Sequence, residues 1–500
     1  MKKTKNLLKN TKNLLTNFKY FFRKNKKITL AVTIIIFSVF ISLPLLSKPM
    51  LSEGDAYVRS YIAFEDFKNK SLFHSYGGTW LPFHKIVIGL PFYVYENYFL
   101  TPRLATLLIN SASVYLLYIT SLEIFRKNKY KKNLSIITSA IYLIFPQRIF
   151  LSTQTLTEPI FVFFLLLGIY FLIKNKLIGS SIFLNVSHGI RYESWFSIPM
   201  LAFYIIQNKK LSIKQKTAYI SSLFIFPIYW FWINLQRNSS GFSFFSEKYQ
   251  IAQSPVYIQE YWNFPLSLIA WTKNLFDLLG LSGIIFLLYG FFIYIKRNKA
   301  NKNGILFISL SIYLFNLLVF QVFTGTMEWF PHRYLYIPII FSFPFIALGL
   351  FDLVKSINKN SLIIYLSIFP LLLIDNFYIY QNIKKLSSQD VKYPIDREKD
   401  LNEVLRFYQQ TNNNNDEVVY IYKNDMNLWL LPAFVYFNQT TESEINSIEV
   451  KELEKYNIKI DKNKNHYYIF EKPAFKTTNN FGEEIFSNRS FSVTSLKNEK

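Results

Sequence analysis

The stretch Ser-Glu-Gly-Asp-Ala-Tyr-Val-Arg at 52–59 brings Glu53, Asp55 and Arg59 together directly after the first long apolar run of the chain. A carboxylate placed in this way can act as a general base, taking the proton from an incoming hydroxyl. The same residues also read structurally. Ser52 with Asp55 three positions on fits a capping box, and Asp55 can pair with Arg59 one helical turn later. The two roles are compatible, because a residue that starts a helix has its carboxylate fixed in place. Glu53 and Asp55 could hold a divalent cation through oxygen ligands, although two carboxylates make only part of such a site.

Further along, Arg191 and Arg333 each follow a histidine closely, His188 and His332, and each precedes a tyrosine at the edge of an apolar segment. Arginine and tyrosine commonly anchor span ends at the membrane interface. A guanidinium also matches the paired oxygens of a phosphate, and a lipid phosphate sits at that depth. Glu193 and Glu328 are suited to neutralise these two arginines. Glu158, just before Pro159, either caps a helix or touches a substrate. Arg148 adds a further cation to the same set. The histidines show no H-x-x-x-H spacing, which argues against a histidine metal site.

The elements that must position these residues are membrane spans. The chain has 500 residues, 51% of them hydrophobic and 19% aromatic, and a formal net charge of +24. Its apolar residues come in repeated runs of roughly 17–23, enough to cross a hydrocarbon core of ~30 Å. Lys and Arg crowd the first 27 residues and then 126–132, 174–176, 209–216, 296–302 and 355–359, which are alternate connections. That is the pattern of cytoplasmic loops. The sequence therefore predicts an all-α polytopic membrane protein of about eleven spans, at 28–47, 103–125, 134–146, 159–173, 177–189, 194–207, 217–234, 274–295, 304–324, 334–354 and 361–378. The first apolar run resembles a signal sequence, but it is long and no small-residue cleavage site follows, so it reads as an uncleaved span.

With the basic tail 1–27 in the cytoplasm, Glu53, Asp55, Arg59, Arg148, Glu158, His188, Arg191, Glu193, His332 and Arg333 all fall in extracytoplasmic connections. Acids, bases and guanidiniums from separate loops on one side could converge on one pocket, and charged groups near membrane depth call for pairing or function. The basic excess orients the chain and forms no basic face for nucleic acid. The absence of cysteine excludes disulfides and thiolate chemistry.

The first outer loop, 48–102, contains an amphipathic pattern over 55–67 that predicts a helix lying in the interface. A second such helix is expected from Trp80 through Tyr95, interrupted by Pro82, Lys85 and Pro91. Beyond the spans, residues 381–500 predict a small extracytoplasmic α/β domain. It would have helices over 396–410 and 425–436, a turn at 412–415 and strands over 417–422 and 466–470. It carries no Gly-rich phosphate loop, Ser-His-Asp order or metal-ligand spacing.

In their order and shared side, Glu53-Gly-Asp55-Ala-Tyr-Val-Arg59, Trp80-Leu-Pro-Phe-His84, Thr157-Glu-Pro159, Arg191-Tyr-Glu-Ser-Trp195 and Arg333-Tyr-Leu-Tyr-Ile-Pro338 resemble a known family. This is the GT-C integral membrane glycosyltransferases, and the likeness spans residues 28–380. The likest members are the mannosyltransferase- and arabinosyltransferase-like enzymes that use dolichyl- or undecaprenyl-phosphate sugars. The resemblance implies inverting transfer of a sugar from a polyprenyl-phosphate-linked donor to a hydroxyl of a glycan, lipid or protein acceptor, in the cell membrane on its extracytoplasmic side. Asp55 would be the base, and Arg191, Arg333 and His332 would hold the donor phosphate. Glu53, Arg59, Glu158, His188, Glu193 and Arg148 would support them. A monophosphate donor needs less neutralisation than a pyrophosphate, so a metal is not demanded.

Two other classes stay open. A transporter or flippase of lipid-linked sugars would call for polar residues along the spans and internal repeats, whereas these spans are mostly apolar. A glycan polymerase or ligase would lean on the 235–273 connection.

Overall fold

The computed structural model describes residues 26–47, 54–74, 80–97, 100–238, 240–243, 264–297, 301–323 and 331–357, positions 381 and 403, and five strands between 417 and 496. The first span is helix α1, Lys26–Ser42, which tightens into a short 3₁₀ turn at Leu43–Ser47. The connection after it, expected as an outer loop, holds α2, Gly54–Lys68, and α3, Pro82–Gly89, continued by a 3₁₀ turn at Leu90–Tyr93. These are the two helices expected there. Pro82 opens α3 because its missing N–H is one of the unpaired donors of a first turn in any case.

The helical body continues with α4 Leu100–Ile124, α5 Lys131–Ile144, α6 Pro146–Leu151, α7 Thr157–Ile173, α8 Leu177–His188, α9 Glu193–Phe196 and α10 Ile198–Ile206. It then adds α11 Ile213–Ser222, α12 Ile225–Asn238, α13 Phe264–Arg297, α14 Lys302–Phe323, α15 Pro331–Tyr334, α16 Tyr336–Ile340 and α17 Phe343–Ile357. Among the described residues, five stretches are long and apolar enough to cross a membrane: Ile28–Leu46, Leu100–Ile124, Ile213–Arg237, Pro265–Lys296 and Lys302–Gln321. Thr157–Ile173 and Glu193–Ile206 are shorter apolar helices. The expected spans at 134–146, 177–189 and 334–354 fall on α5, α8 and the α16–α17 pair, and the one at 361–378 lies outside the described residues.

One boundary differs clearly from the sequence reading. Residues 264–273, expected in an outer connection, belong to α13, which bends at Gly280 where φ is 69° and ψ 165°. The polar residues Lys273, Asn274 and Asp277 break the apolar run in sequence. Yet Trp271 is fully buried and Asn274 Nδ2 donates to the Ala270 carbonyl at 2.8 Å, so packing carries the helix through them.

Several polar side chains inside the bundle find partners on their own helix, where an apolar solvent offers none. On α4, the hydroxyls of Thr106 and Thr120 donate back to the Pro102 and Leu116 carbonyls at 2.9 and 2.7 Å. Helices α13 and α17 approach each other closely. A Cβ on Gly290 would lie 1.9 Å from the Phe345 carbonyl oxygen, and one on Gly349 2.1 Å from that of Phe286. Small residues of this kind let membrane helices pack backbone to backbone.

The C-terminal region contributes β1 Glu417–Lys423, β2 Glu444–Glu449, β3 Asn465–Glu471, β4 Glu483–Ser487 and β5 Phe491–Leu496 in one mixed sheet of order β2-β1-β3-β5-β4. β1 runs parallel to β2 and β3, with Ile421 opposite Ser447 and Ile469. β3–β5 and β5–β4 are antiparallel, with an irregularity between Glu484 and Phe486. The strand patterns at 417–422 and 466–470 fall on β1 and β3. The helices expected at 396–410 and 425–436 lie outside the described residues, save position 403, which is helical.

Candidate functional site

Glu158 stands in the first turn of α7, where unpaired helix N–H groups favour a carboxylate, and is fully buried. Its Oε1 accepts from Arg191 Nη1 at 2.6 Å and from Arg333 Nε at 3.0 Å. Arg191, in the turn between α8 and α9, also grips Glu193 with both forks, Nε to Oε2 at 3.1 Å and Nη2 to Oε1 at 2.6 Å. Its Nη1 reaches the Thr157 hydroxyl at 2.7 Å as well. The Tyr334 ring lies 5.0 Å from the Arg191 guanidinium and 5.7 Å from that of Arg333. Four residues predicted for the site, Glu158, Arg191, Glu193 and Arg333, are thus one buried network.

Two guanidiniums and two carboxylates sum to no net charge, which is what allows them to be buried together. Burial opposes the charge on Arg191, but Glu193 and Glu158 outweigh it and raise its pKa above the ordinary arginine value. The two arginines expected to hold a phosphate therefore meet it already bonded to protein carboxylates.

The loop 152–156 that leads into α7 and Glu158 is buried throughout and is held from three sides. Ser60 Oγ donates to Thr155 Oγ1 at 2.9 Å, and Thr155 in turn donates to the Ala56 carbonyl. His84 Nε2 bonds the Leu156 carbonyl at 3.2 Å, and Arg103 Nε donates to the Thr153 carbonyl at 3.0 Å. Ala56, Ser60 and Ala63 are all fully buried. Their spacing of four and three puts them on one face, and their small size lets α2 lie close to the loop. Asp55 is in the first turn of α2, beside this face. Its carboxylate, Glu53 and the His332 ring lie outside the described residues, and with them the Asp55–Arg59 pair and the Glu53–Asp55 cation site. Among the described residues no three His, Asp or Glu side chains gather as a metal site.

His188 ends α8, and its carbonyl accepts from Trp195 Nε1 at 2.8 Å. The next residue, Gly189, accepts from the Phe83 amide at 2.9 Å, and a Cβ there would come within 2.2 Å of the Phe83 ring. This contact pins α3 to the turn that presents Arg191. Arg148 is elsewhere: it donates to the hydroxyls of Ser38 at 2.8 Å and Ser42 at 3.2 Å and to the Leu143 carbonyl at 3.1 Å, tying α1 to α5 and α6. Arg103 clamps the end of the first span in a similar way, through the Leu46 and Leu45 carbonyls at 3.0 and 2.7 Å. Sequence reasoning missed Ser60, Thr155 and Arg103. Only Arg103 left a signal, as a cation at the start of an apolar run.

His84 gives the site a pH response. Since a carbonyl only accepts, His84 Nε2 carries the proton and the ring is neutral. Burial, then the cation of Arg59, with Arg191 adding to it, holds its pKa well below the usual histidine value despite the Leu156 bond. The unfolded chain takes up a proton below about pH 6.5 where the folded chain does not, so stability is present above that pH and falls as pH drops. In a pH series of melting temperatures, the wild type should lose up to about 1.4 kcal/mol per pH unit more than His84→Gln in this window. Gln keeps a donor but does not titrate. Parallel profiles for the two proteins would exclude His84 as the source.

No family model and no curated protein matches the chain by sequence. By structure it is similar to ArnT from Cupriavidus metallidurans bound to undecaprenyl phosphate, with a TM-score of 0.57 and 11% identity over 94% of this chain and 98% of that one. The apo form of the same protein matches with a TM-score of 0.57 over 95% and 99%. The archaeal oligosaccharyltransferase AglB from Archaeoglobus fulgidus, in complex with an inhibitory peptide and a dolichol-phosphate, matches with a TM-score of 0.50 and 12% identity. That match covers 82% of this chain and 63% of AglB. The chain is an integral membrane protein with the GT-C fold.

Proposed function

We propose that this chain is an inverting glycosyltransferase, moving a sugar from a polyprenyl-phosphate-linked donor to an acceptor hydroxyl on the extracytoplasmic side of the membrane. The observation that supports it most is the seating of α2, the helix that carries Asp55, on the same buried loop that delivers Glu158 to Arg191 and Arg333. The neighbours lend support through what they bind, undecaprenyl phosphate in ArnT and dolichol-phosphate in AglB.

In the reaction, Asp55 takes the proton of the acceptor hydroxyl as its oxygen attacks the anomeric carbon. The bond from that carbon to the phosphate oxygen breaks, and polyprenyl phosphate leaves with the electron pair. Attack opposite the leaving group inverts the anomeric centre. Arg191, Arg333, Glu158 and Glu193 serve as the frame of the site: by linking α7, the α8–α9 turn and α15 they fix the walls between which donor and acceptor meet. The donor sugar is a hexose or pentose, and the acceptor a glycan, lipid or protein. The region 381–500 reads as an extracytoplasmic domain.

The test is turnover by purified protein in nanodiscs against a panel of undecaprenyl- and dolichyl-phosphate sugars. The expected outcome is acceptor-dependent release of free polyprenyl phosphate from at least one donor. Movement of intact lipid-linked sugar between leaflets, with no bond cleaved, would replace the reading with a flippase.

A further inference from the structure

We propose that Arg59 is the cation that receives the donor phosphate, an assignment that rests on the glycosyltransferase reading above. The other buried arginines near the site are already engaged. Arg191 and Arg333 bond Glu158 and Glu193, while Arg103 and Arg148 are bonded to backbone carbonyls and serine hydroxyls. Arg59 differs from all four. Among the described residues no carboxylate pairs with it, and its Nε is buried without a hydrogen-bond partner. Its guanidinium is stacked 4.3 Å from the centre of the Trp80 ring, and the residue is half-buried.

A buried N–H without an acceptor calls for an explanation, and a ligand oxygen is one. A cation over an aromatic face gains attraction without using its N–H donors, and a phosphate can accept two of them. Position agrees with this. Arg59 follows Asp55 by four residues on α2, so the two positions lie one helical turn apart. Arg59 and Arg191 both act on the buried His84 ring, which places Arg59 in the neighbourhood of the network. A phosphate at Arg59 sets the anomeric carbon near Asp55. As the bond to that carbon breaks, charge grows on the leaving phosphate, where Arg59 brings a positive charge that no described carboxylate neutralises, while Arg191 and Arg333 are bonded to theirs.

The experiment compares binding of undecaprenyl phosphate, undecaprenol and a diacyl phosphatidate to wild type, Arg59→Gln and Arg59→Lys in nanodiscs, with melting temperatures alongside. The wild type should prefer undecaprenyl phosphate to undecaprenol, and Arg59→Gln should lose about 30-fold of that preference, the order of one charge-assisted hydrogen bond. Arg59→Lys should keep part of it. Melting temperatures should stay level, because no protein acceptor is lost. A preference that survives intact in Arg59→Gln overturns the assignment and leaves the glycosyltransferase reading standing. A wild type that binds undecaprenol as well as undecaprenyl phosphate overturns both. Phosphatidate bound as well as undecaprenyl phosphate would make Arg59 a general lipid-phosphate ligand and overturn its role with the donor.

Discussion

Replacing Asp55 by Asn is expected to lower turnover by about 10²–10⁴-fold while donor binding and the fold persist. The expectation follows from how α2 is seated. Its contacts run through Ala56, Ser60 and Ala63, with Ser60 on Thr155 at 2.9 Å and Thr155 on the Ala56 carbonyl, and none of them needs a carboxylate at 55. Asn keeps a hydrogen-bonding side chain at the start of the helix, so a capping role is largely retained, but an amide cannot take the acceptor's proton. The two readings of Asp55 therefore separate in one variant. A base loses kcat with KM and melting temperature nearly unchanged; a cap loses about 1 kcal/mol of stability or less and keeps its turnover. Single-turnover release of polyprenyl phosphate, measured beside thermal unfolding, distinguishes them. Equal turnover in both proteins would move the base to another carboxylate of the site, Glu158 or Glu193.

Much of this architecture was legible in the sequence because a membrane imposes one-dimensional signals. Runs of apolar residues and alternating basic connections marked the helices, and the short apolar patterns at 55–67 and 80–95 marked α2 and α3. What was not legible is what needs a third dimension. Arg148 read as one more outer cation, because Ser38 and Ser42 look like indifferent residues of an apolar span until the structure shows them taking its two amino groups. Ser60 and Thr155 are ordinary residue types, and their hydrogen bond joins positions 95 apart. Arg191 was matched with Glu193 from proximity in sequence. The tie of both arginines to Glu158 is carried by packing of α7 against α8 and α16, and no local pattern reports it. Sequence thus named the charged members of the buried network but assigned their partners only where those partners were neighbours in the chain.

The sharing of one carboxylate by two guanidiniums leads to the largest stability effect. Glu158→Ala is expected to destabilise the protein by about 3–5 kcal/mol, the usual loss when one partner of a buried ion pair is removed. Oε1 is the shared acceptor, so the substitution takes a bond from Arg191 and from Arg333 together. Arg191 retains its two-pronged bond to Glu193, and its contact with Thr157 is a separate one. Part of the penalty should be coupled to Arg333, whose Nε loses its bond to Oε1. In a double-mutant cycle with Arg333→Met, the combined loss should fall short of the sum of the single losses by about 1–3 kcal/mol. Glu158→Gln should lie between wild type and Ala, since an amide oxygen still accepts but neutralises nothing. Unfolding in nanodiscs gives all four corners of the cycle. Additive losses would mean that Glu158 and Arg333 act independently, and the frame would then reduce to Arg191 with Glu158 and Glu193, linking α7 to the α8–α9 turn and leaving α15 outside it.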